Sequence, residues 1–155
     1  MSGGLERARA RLVGRWLLDS FELALPDGTV ERPAGETPNG RLHYGEDGWL
    51  SVHVSRGGRA AWASQDFREA TCAEALTAVV GYNGYAGGWE VVEADEAGAS
   101  GELVHRVDLA WFPNWEGGEQ RRRFAVAGDA LTLSTRPGAQ VGATATLRWR
   151  RSPGG

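Results

Sequence analysis

The chain has 155 residues, of which 41% are apolar and 24% charged, a composition typical of a folded rather than a disordered protein. A formal net charge of −3 argues against a nucleic-acid or anionic-membrane partner. The single cysteine, Cys72, excludes an internal disulfide. The length predicts one domain over residues 1–155, and 23 glycines favour short strands and tight turns over long helices.

The first half of the chain alternates short apolar runs with turn residues. Residues 5–12 carry apolar side chains at three- and four-residue spacing, which predicts a short helix, and residues 16–23 predict a strand. The runs 41–45 and 49–55 flank Asp47-Gly48, the usual signature of a β-hairpin. A turn then leads into a further run at residues 59–64.

One longer helix is expected between the strands. Asp66 and Glu69 have the spacing of a capping box, and Gly81 supplies a stop, so the helix is predicted over residues 66–80. Its apolar side chains predict a single buried stripe, formed by Cys72, Leu76, Val79 and Val80.

The second half contains five strand-like runs separated by turn-prone segments: 89–94, 103–112, 121–127, 130–135 and 143–151. With the earlier runs they make about nine strands around one inserted helix. Strands spaced by roughly 8–12 residues predict an antiparallel barrel or a sandwich.

Alternation within these runs predicts which side chains face the interior. One strand has an apolar face formed by Leu103, His105, Val107, Leu109 and Trp111. In the next strand Phe124 and Val126 mark the inner face, and period-two geometry adds Gln120 and Arg122 to it. A β-bulge would reverse the assignment beyond it.

Polar residues among the inward positions are the candidates for chemistry. An imidazole on an apolar face, such as His105, is either a hydrogen-bonded core group or a general acid–base group. An inward Arg122 requires a carboxylate, a carbonyl or a ligand anion, and Glu90 and Asp108 are possible partners. We predict His105 and Arg122 as catalytic candidates. The predicted ligand-binding side chains line the interior or cap its mouth: Tyr82, Tyr85, Trp89, Val107, Trp111, Gln120 and Phe124.

The sequence offers little that would hold a metal or a cofactor, and neither is expected. His43 and His53 lie across the predicted hairpin, but no third ligand and no Cys-x-x-Cys spacing accompanies them. No run reaches the ~20 apolar residues of a membrane span, and charged residues interrupt the N-terminal segment. We therefore expect a cytoplasmic protein without a membrane partner.

Several segments together resemble the bacterial and fungal lipocalin-like domain family over nearly the whole chain. Gly14-x-Trp16 is similar to the Gly-x-Trp opening of calycin barrels. The further matching pieces are Asp27-Gly28-Thr29-Val30, Gly40-Arg41-Leu42-x-Tyr44, Asp47-Gly48-x-Leu50-Ser51-Val52, Tyr82-x-x-Tyr85-Ala86-Gly87, Val104-His105, Phe112-Pro113-Asn114-Trp115-x-Gly117, Glu119-Gln120-x-Arg122, Leu131-Thr132-Leu133-Ser134-Thr135 and Leu147-x-Trp149-x-Arg151. The resemblance implies an all-β fold, a closed antiparallel barrel of about eight to ten strands with a short N-terminal helix and one inserted helix. It also implies that Arg151 packs over Trp16.

The resemblance and the alternation agree that His105, Gln120 and Arg122 face inward. Three functions follow from such a barrel. It binds a small, largely apolar or aromatic molecule in its cavity. Alternatively it is a cofactor-free isomerase or cyclase acting on a polyketide- or terpenoid-like intermediate, with His105 moving a proton and Arg122 stabilising an oxyanion. In the third, the barrel is filled and serves a structural or partner-binding role. Neither the ligand's identity nor the oligomeric state follows from the sequence.

Overall fold

The computed structural model describes residues 3–136 and 142–154. Two α-helices occur in these ranges, α1 (Gly3–Leu12) and α2 (Cys72–Val80), together with 3-10 turns at Phe67–Glu69 and Pro113–Trp115. The strands of the same ranges are β1 (Gly14–Ala24), β2 (Val30–Glu31), β3 (Asn39–Tyr44), β4 (Trp49–Ser55), β5 (Tyr82–Ala94), β6 (Ser100–Ala110), β7 (Glu119–Ala127), β8 (Ala130–Ser134) and β9 (Thr144–Arg151).

Eight of these strands close into an antiparallel barrel. They follow the order β1-β3-β4-β5-β6-β7-β8-β9, and β9 returns to pair with β1 from Trp16↔Arg151 to Ala24↔Thr144. The short β2 pairs only with the last two residues of β1. Closure removes the unpaired edges that a sandwich would leave, so the predicted closed barrel is confirmed.

Helix α1 covers one end of the barrel, which we call the closed end. The Nε atom of Arg7 donates to the carbonyl of Glu96, and the guanidinium of Arg9 donates to the carbonyl of Glu46, both at 2.8 Å. These carbonyls belong to the β5–β6 and β3–β4 turns. The helix therefore lies across both turns and fixes them to each other.

Below the helix, the Trp16 indole is fully buried. Its Nε1 donates to the carbonyl of Leu12 at 2.9 Å, and the guanidinium of Arg151 stacks 4.2 Å from its ring centroid. The packing of Arg151 over Trp16 is thus confirmed. Gly14 makes room for it, since a Cβ there would lie 2.9 Å from an Arg151 nitrogen.

The segment between β4 and β5 differs from the prediction. Residues 59–64 form no strand, and residues 66–80 are not one helix. Asp66 caps only the 3-10 turn, whereas Thr71 and Glu74 form the capping box that starts α2.

The stripe predicted to be buried on α2 is exposed. Leu76 and Val80 are 64% and 69% exposed, Val79 is exposed, and so is Cys72. No residue of α2 is buried. The apolar spacing identified one face of a helix correctly, but the barrel fills its interior with strand side chains and leaves that face uncovered.

Strand β5 begins at Tyr82 rather than at the predicted residue 89, and it includes the glycine-rich segment. Glycine is required there because neighbouring backbone lies close. A Cβ on Gly87 would stand 1.8 Å from the carbonyl oxygen of Arg106. The glycines are therefore part of the barrel wall and not of a loop leading to it.

A β-bulge in β6 changes the predicted face of its last residues. Gly87 pairs with Val107 and Ala86 pairs with Leu109, which leaves Asp108 as the extra residue. Leu109 is consequently 67% exposed. The inward orientation predicted for Leu109 is therefore wrong. Trp111 lies beyond the end of β6, where its ring packs against Trp115, so its role as a ligand contact stays a prediction.

Candidate functional site

The interior of the barrel divides into a filled half and a half reached by solvent. Inward side chains near α1 are buried, among them Leu42, Leu50, Leu103, Leu131 and Trp149. Toward the other end, the open end, some inward side chains are buried, among them Val54, Val107 and Leu133. Others there are only half-buried: Phe21, Asn83, Tyr85, Gln120, Arg122 and Leu147.

At the boundary between the two halves lies a buried hydrogen-bonded triad, Tyr44–His105–Tyr85. The Tyr44 hydroxyl lies 2.7 Å from Nε2 of His105, and the Tyr85 hydroxyl lies 2.7 Å from Nδ1. His105 is 2% exposed and Tyr44 fully buried, whereas Tyr85 is half-buried. Tyr85 is thus the member of the triad that reaches the open half.

Tyr44 is not among the site residues predicted from the sequence. Alternation along β3 places it on the same face as Leu42, so its inward orientation was available from the pattern. Its contact with His105 was not, because the two residues are 61 positions apart.

All three members of the triad are uncharged at neutral pH. Burial lowers the pKa of His105 from 6.5 to about 3, and the positive charge of Arg122 acts in the same direction. Burial also raises the pKa of Tyr85, and it raises the pKa of Tyr44 well above its usual value. A charged form of His105, Tyr44 or Tyr85 would be poorly solvated at its own buried position, and Arg122, which forms no hydrogen bond with either phenol, offsets this only in part for the tyrosines.

The hydrogen bonds of the triad have one favoured direction. A neutral imidazole has one N–H donor and one acceptor nitrogen. Among the described residues Tyr44 has no hydroxyl partner other than His105, so its buried proton is satisfied only if it donates to Nε2. The Nδ1–H group then donates to Tyr85. The Tyr85 proton is left available to a molecule in the open half.

Arg122 supplies the positive charge of this region. Its guanidinium donates to Oε1 of Gln120 at 3.0 Å and to the carbonyl of Arg121 at 2.8 Å. Within residues 3–136 and 142–154, no carboxylate forms an ion pair with it. Glu90, considered as a partner, instead binds Arg106 at 2.9 Å.

Two tryptophans bracket the triad. Trp89 is buried on the closed side, where its ring packs 4.5 Å from Tyr44 and its Nε1 donates to the Gly45 carbonyl at 3.0 Å. Trp115 is half-buried at the open end and meets the Tyr85 ring edge-on at 5.8 Å. Trp115 belongs to one of the motifs that resemble the lipocalin-like family but is not among the ligand contacts predicted from the sequence.

The remaining predicted binding residues separate into two groups. Val107 and Phe124 face inward and are buried, so their role as ligand contacts stays a prediction. Tyr82 faces outward, where its hydroxyl lies 2.5 Å from Nδ1 of the exposed His53. Tyr82 and Tyr85 are separated by an odd number of positions on one strand and therefore lie on opposite faces. The expectation that both cap the cavity mouth is wrong for Tyr82.

A separate cleft of about 460 Å³ lies on the flank of the open end, between α2 and residues 56–62. Apolar side chains from both segments line it, including Trp62, Ala73 and Ala78. A gap of about 40 Å³ lies at the barrel rim beside Val80. The cleft lies outside the barrel, so a ligand there would not touch the triad.

Metal and membrane features were tested on the same described ranges. No three His, Cys, Asp or Glu side chains of residues 3–136 and 142–154 come together at a potential metal position. Neither described helix has the length and apolarity to cross a bilayer.

Comparison with known proteins gives three findings. A family described as lipocalin-like domain matches residues 13–152. The 4'-hydroxy-3'-methoxypropiophenone carrier protein of Aspergillus oryzae is 32% identical over 87 residues, which cover 56% of this chain and 78% of the relative. No solved structure matches the chain.

Proposed function

This chain belongs to the lipocalin-like domain family, and from that premise we propose that it binds a small, largely apolar or aromatic molecule in the open half of its barrel. The observation that carries the proposal is the half-buried polar group formed by Tyr85 and Arg122 inside an otherwise apolar tube. Small-molecule sites in proteins typically bury the apolar body of a ligand and orient it through a few polar groups of this kind.

The carrier protein of Aspergillus oryzae supports this proposal. By its name it carries an aromatic ketone with one hydroxyl and one methoxy group. A molecule of that chemistry has an apolar ring for the barrel wall and oxygen atoms for Tyr85 and Arg122. We therefore propose aromatic ketones and phenols as the first compounds to test.

Binding is proposed in preference to catalysis because of the state of His105. An isomerase or cyclase that used this imidazole as its base would have to hold a proton on it. Burial holds the pKa of His105 at about 3, so the protonated form would be disfavoured at neutral pH. The cofactor-free isomerase or cyclase remains the alternative, and the cytoplasmic location remains a prediction.

Two measurements test the proposed function. Native mass spectrometry of freshly purified protein is expected to reveal a retained small molecule. Titration with 4'-hydroxy-3'-methoxypropiophenone is expected to give saturable quenching of tryptophan fluorescence. Tyr85→Phe removes one hydrogen bond and should weaken binding by up to about tenfold. If neither a retained molecule nor saturable binding is seen, the proposal is wrong for this ligand class.

A cleft-filling variant locates the ligand. Ala78→Trp fills the flank cleft without touching the triad, so binding should be unchanged. Loss of binding in Ala78→Trp, with none in Tyr85→Phe, would place the ligand in the flank cleft and contradict the barrel site. Chemical conversion of the titrated compound by wild-type protein, abolished in His105→Gln, would favour the enzyme instead.

A further inference from the structure

The open half of the barrel contains one positive charge that no side chain neutralises. Arg122 faces this space, and the other polar side chains around it are the uncharged Gln120, Tyr44, Tyr85 and His105. Their neutrality has a physical cause, since burial disfavours the imidazolium and both phenolates. Arg122 is therefore the one charged side chain among these five residues, and the carboxylate of the exposed Glu116 lies nearby, where it accepts from the backbone N–H of Ala110.

Elsewhere among the described residues, one carboxylate pairs with two arginines of neighbouring segments. On the outer face of the neighbouring strand β6, the buried carboxylate of Glu102 pairs with both Arg121 and Arg136. Arg122 alternates with Arg121 and so points to the opposite side of the sheet. No such group meets it there among the described residues. An inward guanidinium without a counter-ion favours an anionic guest.

The triad adds a hydrogen-bond donor beside this charge. The favoured direction of its bonds runs from Tyr44 through His105 to Tyr85, which leaves the Tyr85 proton available to a ligand. A phenol donor and a guanidinium together suit an oxygen that carries negative charge, because hydrogen bonds to charged acceptors are the stronger kind. The Trp115 ring next to Tyr85 suits an aromatic body.

We infer that the barrel selects a weakly acidic aromatic molecule and binds it as its oxyanion, with Arg122 as counter-ion and Tyr85 as hydrogen-bond donor. The inference rests on the proposed function and specifies its ligand class. Binding releases the phenol proton of the ligand to solvent, and no bond other than that O–H is broken. Tyr44 acts as a positioning residue, since it touches His105 rather than the ligand.

The test compares a phenol with its methyl ether. The probes are 4'-hydroxy-3'-methoxypropiophenone and 3',4'-dimethoxypropiophenone, each titrated over a range of pH. The absorbance of the bound phenol should show the phenolate form at pH values where the free compound is neutral. One nearby opposite charge is expected to lower the apparent pKa of the ligand by about 1–3 units, and the ether should bind at least about tenfold more weakly.

Charge variants identify the residue responsible. Arg122→Gln should abolish the pKa shift, and Arg122→Lys, which keeps the charge, should retain most of it. Arg123→Gln is the matched control, since it removes the same charge from the exposed, outward side of the same strand. An equal loss in Arg123→Gln would show a general charge effect and overturn the role of Arg122.

The outcomes separate this inference from the proposed function. Equal binding of phenol and ether, with no phenolate absorbance, overturns anion selection and leaves the binding function standing. Failure of both probes to bind, together with the absence of a retained molecule, overturns the binding function for this ligand class and the inference with it. If Arg122→Gln does not fold, the Arg122→Lys result and the wild-type comparison of the two probes still decide the matter.

Discussion

The two ends of the barrel are built from the same strands but differ in the hydrogen-bond partners of their polar side chains. At the closed end, Trp16 donates to Leu12, and Arg151 stacks on the indole and donates to backbone carbonyls. At the open end, Arg122 has only neutral partners and Tyr85 has an unused proton. At the closed end the polar side chains named here are bonded within the protein, although the buried Nε1 of Trp149 has no partner among the described residues, whereas at the open end the Arg122 guanidinium bonds only to uncharged oxygens.

This difference indicates which part of each strand contributes mainly to stability and which part is available for binding. Burial of apolar area and satisfied hydrogen bonds stabilise the folded state, and both are concentrated beside α1. Groups that would bind a guest must keep some solvent access and some unused hydrogen-bonding capacity. The triad marks the boundary, because Tyr44 belongs to the buried side and Tyr85 to the accessible side.

The largest expected effect on the free energy of unfolding comes from a substitution at the closed end. Trp16→Ala removes a fully buried indole and should lower the free energy of unfolding by about 3–5 kcal/mol. Trp115→Ala, at the open end, removes a half-buried indole and should cost about 1 kcal/mol. Urea denaturation followed by circular dichroism measures both. Equal losses would show that the two ends contribute alike to stability.

The pH dependence of stability tests whether His105, at the boundary between the two halves, is buried in its neutral form. The pKa of His105 is about 3 in the folded protein and 6.5 as an unperturbed group, so the unfolded chain takes up this proton first as pH falls. Stability should therefore decrease from pH 6.5 toward pH 3, by about 1.4 kcal/mol per pH unit from this residue. His105→Gln should reduce that slope over the same range.

An exposed histidine provides the control for the pH experiment. His43 lies on the outer face of β3 and is exposed, so His43→Gln should keep the wild-type slope. The measurement is the urea midpoint at several pH values. A slope that is unchanged in His105→Gln would mean that the imidazole is not protected from protonation in the fold.

The smallest expected effect concerns α2. Leu76 is 64% exposed, so Leu76→Ala should change the free energy of unfolding by no more than about 0.5 kcal/mol. The matched control is Leu50→Ala in the barrel interior, which should cost about 2–5 kcal/mol. A large loss in Leu76→Ala would show that α2 is held against the barrel more firmly than its exposure indicates.

Much of the barrel was predictable because its determinants are local. Alternation of apolar and polar residues identified most strands, and the Asp47-Gly48 turn identified the hairpin of β3 and β4. The same alternation placed His105, Gln120 and Arg122 on the inner face. Period-two geometry requires only the residues of a single strand, so no knowledge of partners was needed.

The errors arose where the outcome depended on a neighbouring element. The bulge at Asp108 turned Leu109 outward, and the strand character of the glycine-rich segment put Tyr82 on the outer face. The predicted stripe on α2 marked a real apolar face, but the pattern carries no information on what covers it.

The residue pattern by itself predicted antiparallel strands, as a barrel or a sandwich, with a histidine and an arginine on their inner faces, and the resemblance to the lipocalin-like domain family predicted the closed barrel. Only the tertiary structure decided that His105 lies between Tyr44 and Tyr85, that Arg122 has no carboxylate beside it, and that α2 remains exposed. The physical reason is the separation along the chain of the residues that determine each property. The direction of a side chain depends on its own strand, whereas its neighbours depend on register, bulges and closure between residues far apart in the chain.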